Sequence, residues 1–510
     1  MKSACAALLL AAGCAAAQQS APAATPPPPA EAAPSAFRDK PQDFLKLGNQ
    51  AGAAFAERDF AAAAGFLERQ IALQPENGAC WYNLALARSN LGENDLAINA
   101  LTSAVDRGFT DRARILREPA FRALRDMDGF VRIRDRWPEV VAAASERVLN
   151  QCKEEFGDTL REERDEELRV ILLSAADASL VSRAREEMHA VQRLARSVFG
   201  PAEAGAEEEP WVVIVLPNRK GFEKWATATY GANARGSFNQ IGGTYEHSRK
   251  RLVAIDLGAT LRHEFFHVLQ FRELERLGQQ HPIWIMEGLA SIVEDMEFPP
   301  APAAPRPIPS WRTNIAQRME RAGALPTLAQ LGAMDQLKFS SQRPLGNYAA
   351  SRNVFMFLAS QHKLADWWRT YTTDLEHGLR ADESGVRAME QVLGKPGTQI
   401  DKDIRVWLRT LSPVAESIEP GMASLGVEVE AGLGEGPVVS RVVPGPRGKS
   451  HHSAPGVRPG DTLLSIDGKP TRDLAELVRV LGTYVAGNEV LLEVRRGQAI
   501  KEFRVTLVQR

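Results

Sequence analysis

The chain has 510 residues, 44% of them hydrophobic and 25% charged, with a formal net charge of −2. That is the composition of a soluble globular protein, and the length is that of about three or four domains. The near-neutral balance excludes the broad attraction to nucleic acid or anionic membrane that a large excess of one charge would give.

The N-terminus reads as a secretory signal over residues 1–17. Lys2 precedes an apolar run from Ala4 to Ala12, and Ala15 and Ala17 form an A-x-A cleavage site. The run is too short to span a bilayer. The segment LLLAAGC resembles a bacterial lipoprotein signal, which implies a lipid on Cys14; simple cleavage after Ala17 is the alternative. Either way the mature protein is expected outside the cytoplasm, periplasmic or lipid-anchored in the bacterial cell envelope. Residues 18–41 are rich in Ala, Pro and Gln and read as a disordered linker. Cys5 and Cys14 belong to the signal. Export permits a Cys80–Cys152 disulfide, although two unpaired thiols in helices is the preferred reading. The chain has no C-x-x-C pair to make a cysteine-type zinc site.

Residues 44–111 carry an internal repeat of period 34, within a segment of repeats and cap spanning 42–140. In its second copy Trp81, Leu84, Leu91, Gly92, Ala97 and Ala104 resemble a tetratricopeptide repeat. Leu47, Phe60, Ala63, Leu67 and Pro75 keep the register in the first copy, and 112–140 resembles a degenerate capping unit. The resemblance implies an all-α solenoid whose concave face binds proteins or peptides. A helical spacer is the bland alternative. Residues 141–168 are expected to form a connecting helix, with EERDEE (162–167) as its solvated face.

From 169 to 412 the pattern predicts an α+β domain. RVILLSA (169–175) and WVVIVLP (211–217) read as strands, and the stretch between them as an amphipathic helix ending at Gly200. GFEKWATATYG reads as a short helix, and residues 242–256 as a hairpin whose edge strand lies near 251–256. Beyond 259 the pattern is mostly helical, interrupted by a Pro-rich loop at 299–309.

Within this region, LRHEFFHVLQF (261–271) contains H-E-x-x-H. On a helix, His263 and His267 share one face and can meet one metal ion, with Glu264 beside them to take a proton from a metal-bound water. Phe265 and Phe266 can anchor the other face. Two buried core histidines are the alternative. A catalytic zinc takes three protein ligands. Nineteen residues separate His267 from Glu287, which falls in HPIWIMEGLASIVED, on a second helix that Gly288 and Ala290 let pack closely. H-E-x-x-H followed by W-x-x-E-G-x-A resembles the gluzincin metallopeptidases, and the strands before it resemble the bacterial MA-like peptidase domain. The resemblance implies a zincin-like fold holding one Zn2+ on His263, His267 and Glu287, with Glu264 as general base. Glu294, seven residues after Glu287 on the same helical face, could orient a ligand histidine, or be a surface carboxylate. Tyr348 could donate to a developing oxyanion, or merely pack. His247, near the edge strand, reads as a surface residue, and His281 is left unassigned.

The last segment, 418–510, resembles a mostly-β PDZ domain through GVRPGDTLLSIDG and the strands around it. The resemblance implies a peptide-binding loop at Leu425, Gly426 and Val427, with Ser424 replacing the usual first glycine. No Walker loop, nucleophile elbow or dinucleotide fingerprint competes. The sequence is therefore expected to encode an exported zinc-dependent peptidase. Its partners would be protein or peptide substrates and no nucleic acid, with membrane contact only through a lipid at Cys14. The alternative is a non-catalytic envelope scaffold or chaperone-like adaptor that keeps a peptidase fold.

Overall fold

A computed structural model describes residues 41–157, 160–200, 210–216, 219–231, 243–246, 249–373, 375–376, 379–380, 383–414, 418, 421–430, 432, 435–443 and 456–510. The expected signal, the linker, Cys14 and His247 lie outside the described residues. Among the described residues no helix is long and apolar enough to cross a membrane.

The N-terminal part is helical. Helices α1 (Pro41–Ala56), α2 (Phe60–Leu73), α3 (Gly78–Asn90) and α4 (Asn94–Asp106) each pack against the next. The starts of α2 and α4 lie 34 residues apart, the period of the sequence repeat. Asp59 caps α2 and Asn77 caps α3, each side chain accepting from N–H groups of the first turn. Ala63, Ala85, Ala97 and Ala104 are wholly buried where these helices meet. The capping stretch folds as α5 (Arg112–Arg117), a 3-10 turn (Pro119–Leu124) and α6 (Asp128–Asp135).

The next helix, α7 (Trp137–Phe156), runs across the boundary expected at 140. Trp137, Val140 and Val141 complete the core of the helical part, whereas Leu149 and Cys152 lie beneath the following sheet. Cys80 and Cys152 therefore belong to different cores; both are free, and burial pushes their thiols up to about 12 and about 11.

The connecting helix does not continue to 168. It stops at Phe156, and the charged run forms strand β1 (Arg161–Asp165), antiparallel to β2 (Val170–Ser174). Strand β2 is a fully buried VILLS run that needs a ladder on both sides, and that demand overrides local helix preference. Charged side chains on the outer strand also blunt its edge. Asp165 turns inward, accepting from the Leu168 N–H at 2.9 Å and from Arg185 at 2.8 Å.

The sheet continues through α8 (Ala178–Phe199), β3 (Trp211–Val215), α9 (Arg219–Tyr230), β4 (Gly243–Glu246) and β5 (Arg251–Ala254). Its order is β1-β2-β3-β5-β4, with β2, β3 and β5 parallel and β1 and β4 antiparallel at the sides. The strand expected at the edge, β5, is interior: it pairs with β3 on one side and β4 on the other. Its Leu252 and Val253 are wholly buried, one on each face, as suits a central strand. The outer position belongs to β4.

Helices α10 (Ala259–Leu277) and α11 (Ile283–Ile292) follow, then the two-residue pair β6 (Met296–Glu297) and β7 (Arg306–Pro307). Seven helices and a small strand pair complete this part: α12 (Trp311–Arg321), α13 (Leu328–Gly332), α14 (Gln336–Ser341), α15 (Pro344–Ser360), α16 (Leu364–Thr373), β8 (Leu375–Glu376), β9 (Leu379–Arg380), α17 (Val386–Leu393) and, closing it, α18 (Gly397–Thr410). One core, running from Leu168 to Leu408, joins α8, one face of the sheet and these helices.

The C-terminal unit comprises β10 (Ala423–Ser424), β11 (Val427–Glu430), β12 (Val438–Val442), β13 (Thr462–Ile466), β14 (Lys469–Pro470), α19 (Leu474–Leu481), β15 (Glu489–Arg496), β16 (Ala499–Thr506) and β17 (Val508–Gln509). Leu463, Ile466, Leu477, Leu492, Val494 and Val505 form its own core.

Candidate metal centre

Helix α10 is fixed at both ends. Asp256 Oδ1 accepts from the N–H groups of Gly258 (2.8 Å) and Thr260 (3.3 Å), satisfying donors at its start. Gly278 stops it in the left-handed region at φ +66°, its N–H donating to Leu274 O. Arg117 of the helical part donates to Arg276 O at 2.9 Å and to Glu275 O, placing a cation on the carbonyl end. Phe265 and Phe266 are wholly buried and anchor the helix, as the sequence suggested.

The buried face of α10 brings His263 and His267 together. Their Nε2 atoms lie 3.2 Å apart, and Glu287 Oε2 on α11 lies 3.3 Å from the first and 3.6 Å from the second. Among the described residues, this is the group of three potential ligands whose atoms converge. All three side chains are nearly inaccessible to solvent. The other ring nitrogens are engaged outward. His267 Nδ1 lies 2.7 Å from Gln270 Oε1, and Gln270 Nε2 donates to Met286 O at 3.0 Å. That second bond fixes which end of the amide faces the ring, so His267 Nδ1–H is the donor and its Nε2 is the nitrogen turned toward Glu287. His263 Nδ1 lies 2.9 Å from Glu294 Oε1.

Glu294 reaches His263 by a route the sequence did not suggest. Helix α11 ends at Ile292, so Glu294 lies beyond the helix rather than on its face. Arg262 takes the carbonyls of Val293 (3.0 Å) and Glu294 (2.6 Å), and Arg352 takes Ser291 O (2.9 Å). Arg312 then grips the Glu294 carboxylate with two hydrogen bonds of 2.6 and 2.8 Å. Sequence reasoning missed Gln270, Arg262 and Arg312. Gln270 carried a signal, three residues after His267 and seven after His263 on one helical face. The arginines carried none, because their burial depends on partners far along the chain.

Charge in this pocket is strongly biased. Burial would lower the His263 pKa, but the carboxylates of Glu287 and Glu294 outweigh it and hold the imidazole at about 10 instead of 6.5. Burial would raise Glu287, and the two histidines reverse that and hold it at about 2. Burial also opposes ionisation of Glu294, which Arg312 and His263 keep well below the carboxylate range. Glu264 is the exception: burial holds it above its ordinary value despite both histidines. Among the described residues, its Oε2 and both Glu287 oxygens are buried with no hydrogen-bond partner.

Two further elements close on the site. The outer strand β4 approaches so near that a Cβ on Gly243 would stand 2.8 Å from Glu264 Cγ. Helix α15 brings Tyr348, 2% exposed, close enough to Glu287 and Glu264 for their charges to add to burial in raising its phenol pKa. Arg312 stacks 5.4 Å from the Tyr348 ring centre. Close packing of α15 on α11 depends on Gly288, where a Cβ would meet the Phe355 ring at 2.6 Å and Ser351 Cβ at 2.9 Å. Gly288→Ala is therefore expected to destabilise the fold by about 1–3 kcal/mol, read by thermal or denaturant unfolding. An unchanged melting temperature would show that the ring yields freely.

Leu425, Gly426 and Val427 belong to the separate C-terminal unit. Leu425 is buried in its core, Gly426 adopts φ +69°, and Val427 opens β11. The Gly426 N–H donates to Ser424 Oγ at 3.1 Å. The residue that replaces the usual glycine thus occupies one donor of the expected carboxylate loop.

Residues 423–507 match the family model for a PDZ domain. The C-terminal unit is a PDZ domain, a module that binds peptides or proteins. Over 51 residues the chain is 33% identical to protease Do-like 8, chloroplastic, from Arabidopsis thaliana, covering 10% of this chain and 11% of that protein. The chain thus spans about a tenth of that relative's length. An aminopeptidase N family protein from Idiomarina loihiensis aligns at 14% identity over 69% of this chain and 67% of that one, with a TM-score of 0.26. That superposition is too low to define a shared fold.

Proposed function

We propose that the protein is an exported zinc-dependent peptidase of the gluzincin type, its substrates recruited by N-terminal tetratricopeptide repeats and the PDZ domain. The observation that carries this is the spacing of His263 Nε2, His267 Nε2 and Glu287 Oε2 at 3.2, 3.3 and 3.6 Å. Ligand distances of about 2.0–2.1 Å in tetrahedral geometry put such atoms roughly 3.4 Å apart. The unpartnered oxygens of Glu287, costly in a dry interior, support the same reading. Bound zinc would supply Lewis acidity and lower the pKa of the attacking water. Glu264 would accept that water's proton and later pass it to the leaving amine. Tyr348 would donate to the developing oxyanion, and Gln270 and Glu294 would orient the two imidazoles. Strand β4 would offer main-chain groups to an extended substrate.

The test is the metal content of purified full-length protein. About one zinc per chain is expected, and protein that takes up no stoichiometric zinc would refute the reading. A non-catalytic scaffold draws its support from the near-complete burial of Glu264 and the three candidate ligands, at 0–6% exposure. That reading requires wild type and Glu264→Gln to treat peptides alike.

Zinc uptake is also expected to release protons. His263 in the metal-free fold titrates near 10, above its ordinary 6.5. Its contribution to metal-free stability is therefore complete below about pH 6.5 and is lost as pH rises through about 10. At pH 7 the ion must displace that proton, so about one proton should be released per zinc bound, and affinity should climb with pH up to about 10. Calorimetry in two buffers of different ionisation enthalpy measures this; zero proton release would contradict a protonated His263.

A further inference from the structure

We infer that the PDZ domain is a working part of the metal centre: Arg472, at the start of α19, helps hold the segment that sets Glu294 against His263. Arg472 is itself fixed. Asp473 Oδ1 accepts from the Glu476 N–H at 2.7 Å, and Glu476 Oε2 accepts from the Arg472 N–H at 2.8 Å. This reciprocal cap fixes the backbone from which the guanidinium leaves the PDZ domain.

Arg472 Nη1 lies 3.4 Å from Glu187 Oε1 on α8, and its guanidinium stands 5.1 Å from the centre of the Phe298 ring. Arg262 uses the same two partners. It donates to the other oxygen of Glu187 and lies 5.5 Å from the same ring. One carboxylate and one ring are thus shared by an arginine of the metal-bearing helix and an arginine of the PDZ domain. Arg262 holds the carbonyls of Val293 and Glu294, and Glu294 Oε1 faces His263 Nδ1 at 2.9 Å. Alongside, Arg479 of α19 lies 3.7 Å from Asp295 Oδ1. Residues 293–295 are therefore gripped from α10 by Arg262 and from the PDZ domain by Arg479, while Arg472 steadies the Glu187–Arg262 pair behind them.

Losing the outer partner of a ligand histidine typically weakens metal binding 10- to 100-fold. Arg472 is a positioning residue three contacts further out, through Arg262 and Glu187, so its removal should weaken zinc binding by roughly 2- to 30-fold. The inference rests on the proposed zinc site, and the experiment separates the two. Zinc affinity is measured on the full chain by competition with a chromophoric chelator, and the visible spectrum is recorded with cobalt in place of zinc. The proteins are wild type, Arg472→Ala, Arg472→Gln and Arg441→Ala. Arg441 pairs with Glu428 inside the PDZ domain and serves as the control. Weaker zinc binding and a shifted cobalt spectrum in Arg472→Ala, with Arg441→Ala like wild type, support the inference. Equal affinity in wild type and Arg472→Ala overturns it and leaves the zinc site standing. Wild type that binds no zinc overturns the site itself. If Arg472→Ala does not fold, Arg472→Gln decides: it keeps much of the side-chain length but loses the charge facing Glu187 and the cation over the Phe298 ring, and an affinity equal to wild type overturns the inference.

Discussion

Glu264→Gln is expected to bind zinc as the wild type does and to cleave peptides about 10²- to 10⁴-fold more slowly, the range for losing a general base. The substitution preserves size, so the close approach of Gly243 to the Glu264 side chain is not disturbed. What it removes is basicity. Burial holds Glu264 above the usual carboxylate range, and its Oε2 has no hydrogen-bond partner among the described residues. Such a group is matched to receive a proton from a water molecule beside it. An amide in its place cannot. The measurement is kcat/KM on a proteome-derived peptide library, with zinc content determined on the same preparations. Equal rates with full zinc occupancy would remove Glu264 from the chemistry.

The second large effect concerns the metal. Glu287→Ala should weaken zinc binding by more than about 100-fold, because on the proposed reading it deletes a ligand rather than the partner of one. Glu287 is 0% exposed, so alanine also leaves a cavity. Glu287→Gln keeps the volume and separates ligand loss from packing loss. In the metal-free variants His263 loses one of the two carboxylates that hold it near 10, and its pKa should fall. Chelator competition gives the affinity, and proton NMR of the imidazole gives the titration. Zinc affinity within a few-fold of wild type in both variants would mean that the third ligand is elsewhere.

Much of this centre could be read from the sequence, and the reason is local. H-E-x-x-H needs only one helix to bring His263 and His267 together, and the following segment needs only a turn to present Glu287. The helical pattern and the glycine at 288 supply both. The failures share the opposite cause. EERDEE has the composition of a solvated helix, but β2 beside it requires a strand partner, and nothing inside the run signals that. The edge of the sheet was assigned one strand too far inward because pairing partners are not local. Arg262, Arg312 and Arg352 are buried, each paired with a carboxylate or with main-chain carbonyls distant in the chain, which no local pattern signals. In the PDZ domain the expected loop residues lead into β11, and the use of the Gly426 N–H by Ser424 depends on a side-chain rotamer.

Helix α7 bears on how substrates would be delivered. Two modules joined by a flexible linker meet at an effective concentration set by linker length. Here a single 20-residue helix has its first half in one core and its second half in another, so no such linker separates the repeats from the sheet. A peptide captured on the repeats would be presented as if by a jig. Its own length, not diffusion on a tether, would decide whether a bond reaches the metal. Segments too short would have an effective concentration near zero, and those that match the span would have a high one. The fold would then select substrates by reach as well as by sequence.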